Sequence, residues 1–326
     1  MELLSKHTSK ISKISKIISF IFLGFLFSSC SSKTYIQDFA FDTLIDIRYE
    51  ANPTKINSKE LQEQIEKEYK KLDKNLNFYS SNSELNKINS SNSPITVDHE
   101  TLDIIQQSYI LQNESLKDYF SITMGGINKL WKDKLNKETP GIPSSEEIKI
   151  EAEKIATTSL VFTPTSVQRI GDAKIDLGAV VKGYALDKIN SLLKENEITN
   201  YVLDLGHSSI AIGGQQSVTI AEYKKKIIIK DSCITTSSIH EQKFIVGDKT
   251  YSHIINPKTY SAIPYNDQVI VINDNPFLAD ACSTALMNIS SFEEIKKLEN
   301  DLNIKTIIFK DGGIVYSHQD LTLFDA

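Results

Sequence analysis

Cysteine is scarce in this chain. Cys30, Cys233 and Cys282 are the only three in 326 residues, too few and too scattered for a disulfide framework. Positive charge is not in excess either. The net charge is −6 overall; residues 1–29 carry Lys6, Lys10, Lys13 and Lys16 against Glu2, which leaves the rest near −9 (−6 − 3). An acidic body argues against nucleic acid as a partner. The apolar run Ile17 to Phe27 has eleven residues. It rises about 16 Å as a helix, too short for a hydrocarbon core of about 30 Å. There is one tryptophan, Trp131, which reads as core. No internal repeat is visible, and no low-complexity run interrupts the body.

What remains is ordinary for a soluble globular protein: 40% hydrophobic and 24% charged residues. The length suffices for a substantial core, in one large domain or two coupled halves. Residues 1–29 read as a signal peptide, with lysines first and the short apolar run after them. Phe27-Ser28-Ser29-Cys30 follows, with a small residue directly before the cysteine, and resembles a bacterial lipoprotein processing site. The expectation is a lipid anchor on Cys30, a polar tether over 30–37 and a folded body over 38–326. The anchored body would face the periplasm or the cell exterior, first of all on the cytoplasmic membrane.

The body is organised around Ile175-Asp176-Leu177-Gly178-Ala179-Val180-Val181-Lys182-Gly183-Tyr184. Alternating Ile175 and Leu177 suit a strand end, Gly178 a tight turn, and the spacing from Val181 onward a helix. Such a junction aims free N–H groups at an anion, and Lys182, in the first helical turn, offers it a point charge. Upstream, Phe41 to Tyr49 reads as a strand, Ser58 to Leu76 as an amphipathic helix capped by Ser58, and Leu102 to Leu111 as another helix. Tyr79 is either an exposed aromatic platform for stacking or a buried structural tyrosine. Ser145 to Ala156 reads as a helix, with acidic residues favouring its start.

Downstream, Tyr201 to Gly214 reads as strand, turn, strand, with His207 in the turn. Short β segments follow at Val218 to Ile220, Lys226 to Lys230, Ile234 to Ser237 and Phe244 to Val246. His253 lies between an alternating strand and the Asn256-Pro257 turn, and histidine suits proton transfer near neutrality. Pro276 opens a helix on which Asp280 and Thr284 share a face one turn apart. A carboxylate and a hydroxyl are hard oxygen donors that suit Mg²⁺, although a capped polar pair is the other reading. Phe292 to Leu302 reads as a helix, and a hairpin turns at Asp311-Gly312-Gly313.

The wording of six segments, in order, resembles the ApbE-type FAD:protein FMN transferases: Phe41-Asp42-Thr43; Tyr79 to Asn89; Tyr119 to Trp131; Asp176 to Asp187; Tyr251 to Thr259; and Asn275 to Met287. Thr236-Ser237-Ser238 resembles the family's Thr-Ser-Gly/Ser turn, and the departures are Phe41 for Met, Ser121 for Asp, Gly126 for Pro, His207-Ser208 for Gly-Asn, Asn256 for Asp and Tyr260 for Gly. The resemblance implies an α+β fold, with mixed, largely antiparallel sheets flanked by helices in an ApbE-like (T-fold-like) body. It implies FAD as substrate and Mg²⁺ as cofactor, held by Asp280, Thr284 and the Ala179 carbonyl. Phe41, Tyr79, Tyr119, Phe120, Ser121, Asp176, Lys182 and Ile254 would contact FAD, and His253 would be the catalytic base. The implied reaction transfers FMN to a threonine of an acceptor protein, a respiratory or electron-carrying flavoprotein subunit, and releases AMP. An FAD pyrophosphatase and a non-catalytic FAD-binding lipoprotein are the alternatives.

Overall fold

The structure, a computed structural model, describes residues 32–52, 54 and 56–326. The stretch expected to be a signal peptide, residues 1–29, and Cys30 fall outside these residues. The chain opens on β1 (Ser32–Ala40), which pairs antiparallel along its whole length with β2 (Thr43–Ala51). The tether expected over 30–37 is therefore mostly strand, because Ile36 buries its side chain while its neighbours find ladder partners in β2. Phe41 is not in a strand. Phe41 and Asp42 form the two-residue turn between β1 and β2, both left-handed (φ 53° and 59°). That is the turn whose twist suits a hairpin, and Asp73 fixes it by accepting the Phe41 amide at 2.9 Å.

Helix α1 (Ser58–Leu76) buries Leu61, Ile65, Tyr69 and Leu72 as one stripe. Asn57, not Ser58, caps it. Then come α2 (Glu84–Asn89), β3 (Ile95–Thr96), α3 (His99–Asn113), α4 (Gly125–Leu135) and α5 (Ser145–Ala156). A reciprocal box between Ser144 and Glu147 starts α5. β4 (Ser159–Thr163) and β5 (Ser166–Ile170) complete a small sheet with β3.

α6 (Val181–Glu195) leads into β6 (Tyr201–Leu205) and β7 (Ser209–Gly213), both buried on every side chain. β8 (Gln215–Ile220), β9 (Lys225–Lys230), β10 (Cys233–Ser238), β11 (Lys243–Val246), β12 (Lys249–Ser252) and β13 (Gln268–Asn273) follow. Last are α7 (Pro276–Leu286), α8 (Phe292–Leu302), β14 (Lys305–Lys310), β15 (Gly313–Ser317) and β16 (Leu323–Asp325).

The main sheet has eight strands in the order β1-β2-β6-β7-β10-β13-β14-β15, with every neighbouring pair antiparallel. One face takes α1, α6 and α7 through Ile65, Tyr184, Ile189, Phe277 and Leu286. The opposite face, with Ile210, Ile212, Ile270 and Phe309, is covered by β8 and β9 through Val218, Ile220 and Ile229. β6 and β7 are thus sandwiched, which is why no polar alternation marks them. A third cluster joins α4 to the β11–β12 hairpin through Ile127, Trp131 and Tyr251. Trp131 is core as expected, and its indole N–H donates to the Tyr260 carbonyl at 2.9 Å.

Candidate active site

Ile175 to Leu177 belongs to no strand ladder. Its backbone is satisfied from the side. The Asn89 side chain accepts the Ile175 amide at 2.7 Å and donates to the Ile175 carbonyl at 2.8 Å. The Asp176 amide reaches the Ile122 carbonyl at 2.8 Å, and the Gly125 amide reaches the Lys174 carbonyl at 2.8 Å. The stretch is thereby stitched to α2 and to the start of α4. Asp176 accepts the Gly178 amide on one oxygen (2.9 Å) and Asn128 Nδ2 on the other (3.0 Å). Lys182 lies in the first turn of α6 and donates to Ser208 Oγ.

Asp280 is 5% exposed. Its Oδ2 accepts the Gly183 amide at 2.8 Å and its Oδ1 accepts Ser209 Oγ at 3.3 Å. Burial pushes its carboxyl up to about 6, against the pull of Lys182 and those two donors. Thr284, one turn further along α7, shares a hydrogen bond with Ser237 Oγ (3.3 Å). Thr236 to Ser238 are the end of β10 and not a turn, since they pair with Ile270 to Gln268 of β13. That pairing lays the Ser237 hydroxyl against α7.

Tyr79 is 54% exposed, stands edge-on to Phe78 and carries Lys132 Nζ 4.2 Å above its ring centre. Tyr119 donates to Glu294 at 2.8 Å, which with burial pushes its hydroxyl up to about 12. Phe120 and Ile254 are buried. Ser121 is engaged locally, donating to Gln112 Oε1 at 3.1 Å and lying 3.0 Å from Thr123 Oγ1. His253 follows β12 directly. Its side chain is 35% exposed, with Nε2 4.0 Å from Glu241 Oε2. The surrounding protein desolvates the ring and lowers its pKa, helped by Lys182 and Lys132 and opposed by Glu241.

These groups line two adjoining hollows of about 280 and 500 Å³, in the size range of cofactor pockets. The smaller holds Ala179, Asp280 and Thr284 on one wall, Tyr119, Phe120 and Ser121 on another, and Ile254 beside them. Tyr79, Asp176, Lys182 and His253 border both hollows. Phe41 stands apart, lining only the larger one, as does His207. The His207 ring leans on Asp204 (Nδ1 to Oδ2, 2.8 Å), which raises its pKa.

Several lining residues carry no signature in the sequence reading. Asn128 and Lys132 are i and i+4 on α4, so their shared helical face was a usable signal. Glu241 and Gln242 sit in the irregular link from β10 to β11, where periodicity says nothing. Among the described residues no three His, Cys, Asp or Glu side chains cluster as a metal site. No helix of the described residues is long and apolar enough to cross a membrane. Cys233 and Cys282 are buried and unpaired.

Helices on one face of an antiparallel sheet, and a two-chambered cleft with a buried carboxylate, define an α+β body with a cofactor-sized site. The chain belongs to the ApbE family, whose profile matches residues 41–308. The FAD:protein FMN transferase of Chlamydia pneumoniae is 29% identical over 276 residues, covering 80% of this chain and 87% of the relative. That of Vibrio cholerae is 24% identical over 291 residues, covering 83% and 86%. Among solved structures, the ApbE protein of Thermotoga maritima superposes with a TM-score of 0.76 at 25% identity, over 88% of this chain and 97% of the other. Flavin transferase ApbE from Vibrio cholerae gives 0.74 at 22%, over 89% and 98%. The α+β class with a large antiparallel sheet is thus the family's fold.

Proposed function

We propose that this chain is an FAD:protein FMN transferase that moves the FMN part of FAD onto a threonine hydroxyl of an acceptor protein and releases AMP. Curated relatives across most of the chain carry that activity in their names. One observation carries the reading for this chain's own residues. Asp280, Thr284 and Ala179, from two separate segments, meet in one hollow whose rim carries an aromatic platform, Tyr79, and a histidine, His253.

Mg²⁺ fits this site. A nearly fully buried carboxylate, burdened by its own desolvation, sits one turn from a hydroxyl and beside the Gly178–Ala179 turn. These are hard oxygen donors with room for further oxygen ligands. Asp280, Thr284 and the Ala179 carbonyl would hold the ion, which would supply charge neutralisation to a diphosphate. Lys182 adds a fixed positive charge for the same diphosphate. Tyr79 covers the isoalloxazine ring from the solvent side, with Phe41 in the adjoining hollow. Asp176, locked by Gly178 and Asn128, fixes the cofactor's orientation. His253 takes the threonine proton as the oxygen attacks the FMN phosphorus. Its lowered pKa keeps it neutral, and so able to accept, at physiological pH.

Incubating the protein with FAD, Mg²⁺ and a candidate acceptor, followed by intact mass, tests the reading. Gain of FMN mass by the acceptor supports it. AMP release without acceptor gain makes the protein a pyrophosphatase, and intact bound FAD makes it a binding protein. We further propose that Cys30 is lipidated and holds the enzyme on the outer-facing surface of the membrane.

A further inference from the structure

The β11–β12 hairpin pairs Lys243 with Ser252. The residues just before β11 and just after β12 must therefore leave the hairpin side by side. That register brings the Glu241 carboxylate to His253, with Oε2 4.0 Å from Nε2. Both side chains border both hollows. Lys182 of α6 and Lys132 of α4 also act on the ring, and Asp280 of α7 lines the smaller hollow. Glu241 opposes the two lysines. Its own side chain is 41% exposed, so it contributes little to the core.

We propose that Glu241 is a positioning residue for His253, holding the proton on Nε2 so that Nδ1 is the nitrogen that accepts from the acceptor hydroxyl. This rests on the transferase reading above. A carboxylate facing one ring nitrogen selects the tautomer with its N–H on that side. The separation is longer than a hydrogen bond, as catalytic contacts often are before substrate closes the site. In the step itself the threonine oxygen bonds to the FMN phosphorus. The bond from that phosphorus to the bridging oxygen breaks, and AMP leaves with its electron pair. The hydroxyl proton goes to Nδ1, and the imidazolium so formed is paired with Glu241, the logic of a carboxylate behind a catalytic histidine.

The test compares wild type, Glu241→Gln and Glu241→Asp as full chains, by NMR titration of the His253 ring and by pH profiles of FMN transfer. Glu241→Gln should lower the His253 titration midpoint and raise the share of the Nδ1–H tautomer. It should cut kcat about tenfold or more and move the acid limb to lower pH, with KM for FAD unchanged. Glu241→Asp should recover part of each effect. An unmoved midpoint and tautomer in Glu241→Gln overturns the proposal, whether or not kcat falls. Absence of transfer by wild type would instead remove the transferase reading, while the NMR arm would still report whether Glu241 governs the ring.

Discussion

Gly183 and Asp280 touch where α6 meets α7: the Gly183 amide donates to Asp280 Oδ2 at 2.8 Å. A Cβ on Gly183 would lie 2.6 Å from Asp280 Cβ and 2.5 Å from the Pro276 carbonyl oxygen. Only glycine allows that approach. Gly183→Ala should force the helices apart at a cost of about 1–3 kcal/mol and displace the carboxylate. A drop in thermal midpoint together with loss of transfer is expected; a variant as stable and active as wild type would mean that the two helices can slide freely.

Asp280 makes the metal-free protein pH-sensitive. Its carboxyl titrates near 6 when folded, against an ordinary 3.8. A raised acid pKa means the folded state holds a proton that the unfolded chain has released. The stabilising contribution is therefore full below about pH 4 and is lost as pH rises to 6. The shift of roughly two units corresponds to about 3 kcal/mol. In chelator-treated protein, denaturant melts should show this loss for wild type and not for Asp280→Asn. Asp280→Ala should keep the fold and lose Mg²⁺-dependent turnover.

Tyr79 is exposed and is no pillar of the core. Tyr79→Ala should change stability by no more than about 0.5 kcal/mol. On the proposed reading, stacking lost from the flavin is worth about 0.5–1.5 kcal/mol, a two- to tenfold weaker FAD affinity by fluorescence titration. A large fall in stability with unchanged affinity would reverse that assignment.

Asn89 substitutes for a neighbouring strand. It is 4% exposed and satisfies both the amide and the carbonyl of Ile175. Asn89→Ala leaves two buried backbone groups unpaired, at about 1–3 kcal/mol each. Urea unfolding should report a loss of about 2–5 kcal/mol, and a loss below 1 kcal/mol would imply that other partners replace the side chain.

Cys30→Ala tests the anchor. The wild-type protein should take up radiolabelled fatty acid and sediment with membranes; the variant should do neither. Equal labelling of both would place the lipid elsewhere or nowhere.

Much of this was legible in the chain. The stripe Leu61, Ile65, Tyr69, Leu72 gave α1 residue for residue, and Ser145 to Ala156 gave α5, because amphipathic spacing with acidic starts is a local property. Ile175 to Leu177 misled because alternation describes side-chain facing and says nothing of who satisfies the backbone; a distant asparagine does so here. β1 was hidden by its polar composition, since an edge strand with one exposed face need not look apolar. Asp280 and Thr284 were visible through their i, i+4 spacing, whereas Glu241 becomes meaningful only once the hairpin register sets it beside His253.

The early start of β1 sets a reach. Ten residues, 31–40, lie between Cys30 and Phe41 at the cleft, and nine of them, Ser32 to Ala40, form a strand. At about 3.4 Å per residue over eleven chain steps, Phe41 can stand no more than roughly 37 Å from the cysteine proposed to carry the lipid. A lipoprotein built this way would be a short-armed enzyme: substrates whose threonine rides high on a tall ectodomain would pass overhead, and those that present it close to the lipid headgroups would be modified.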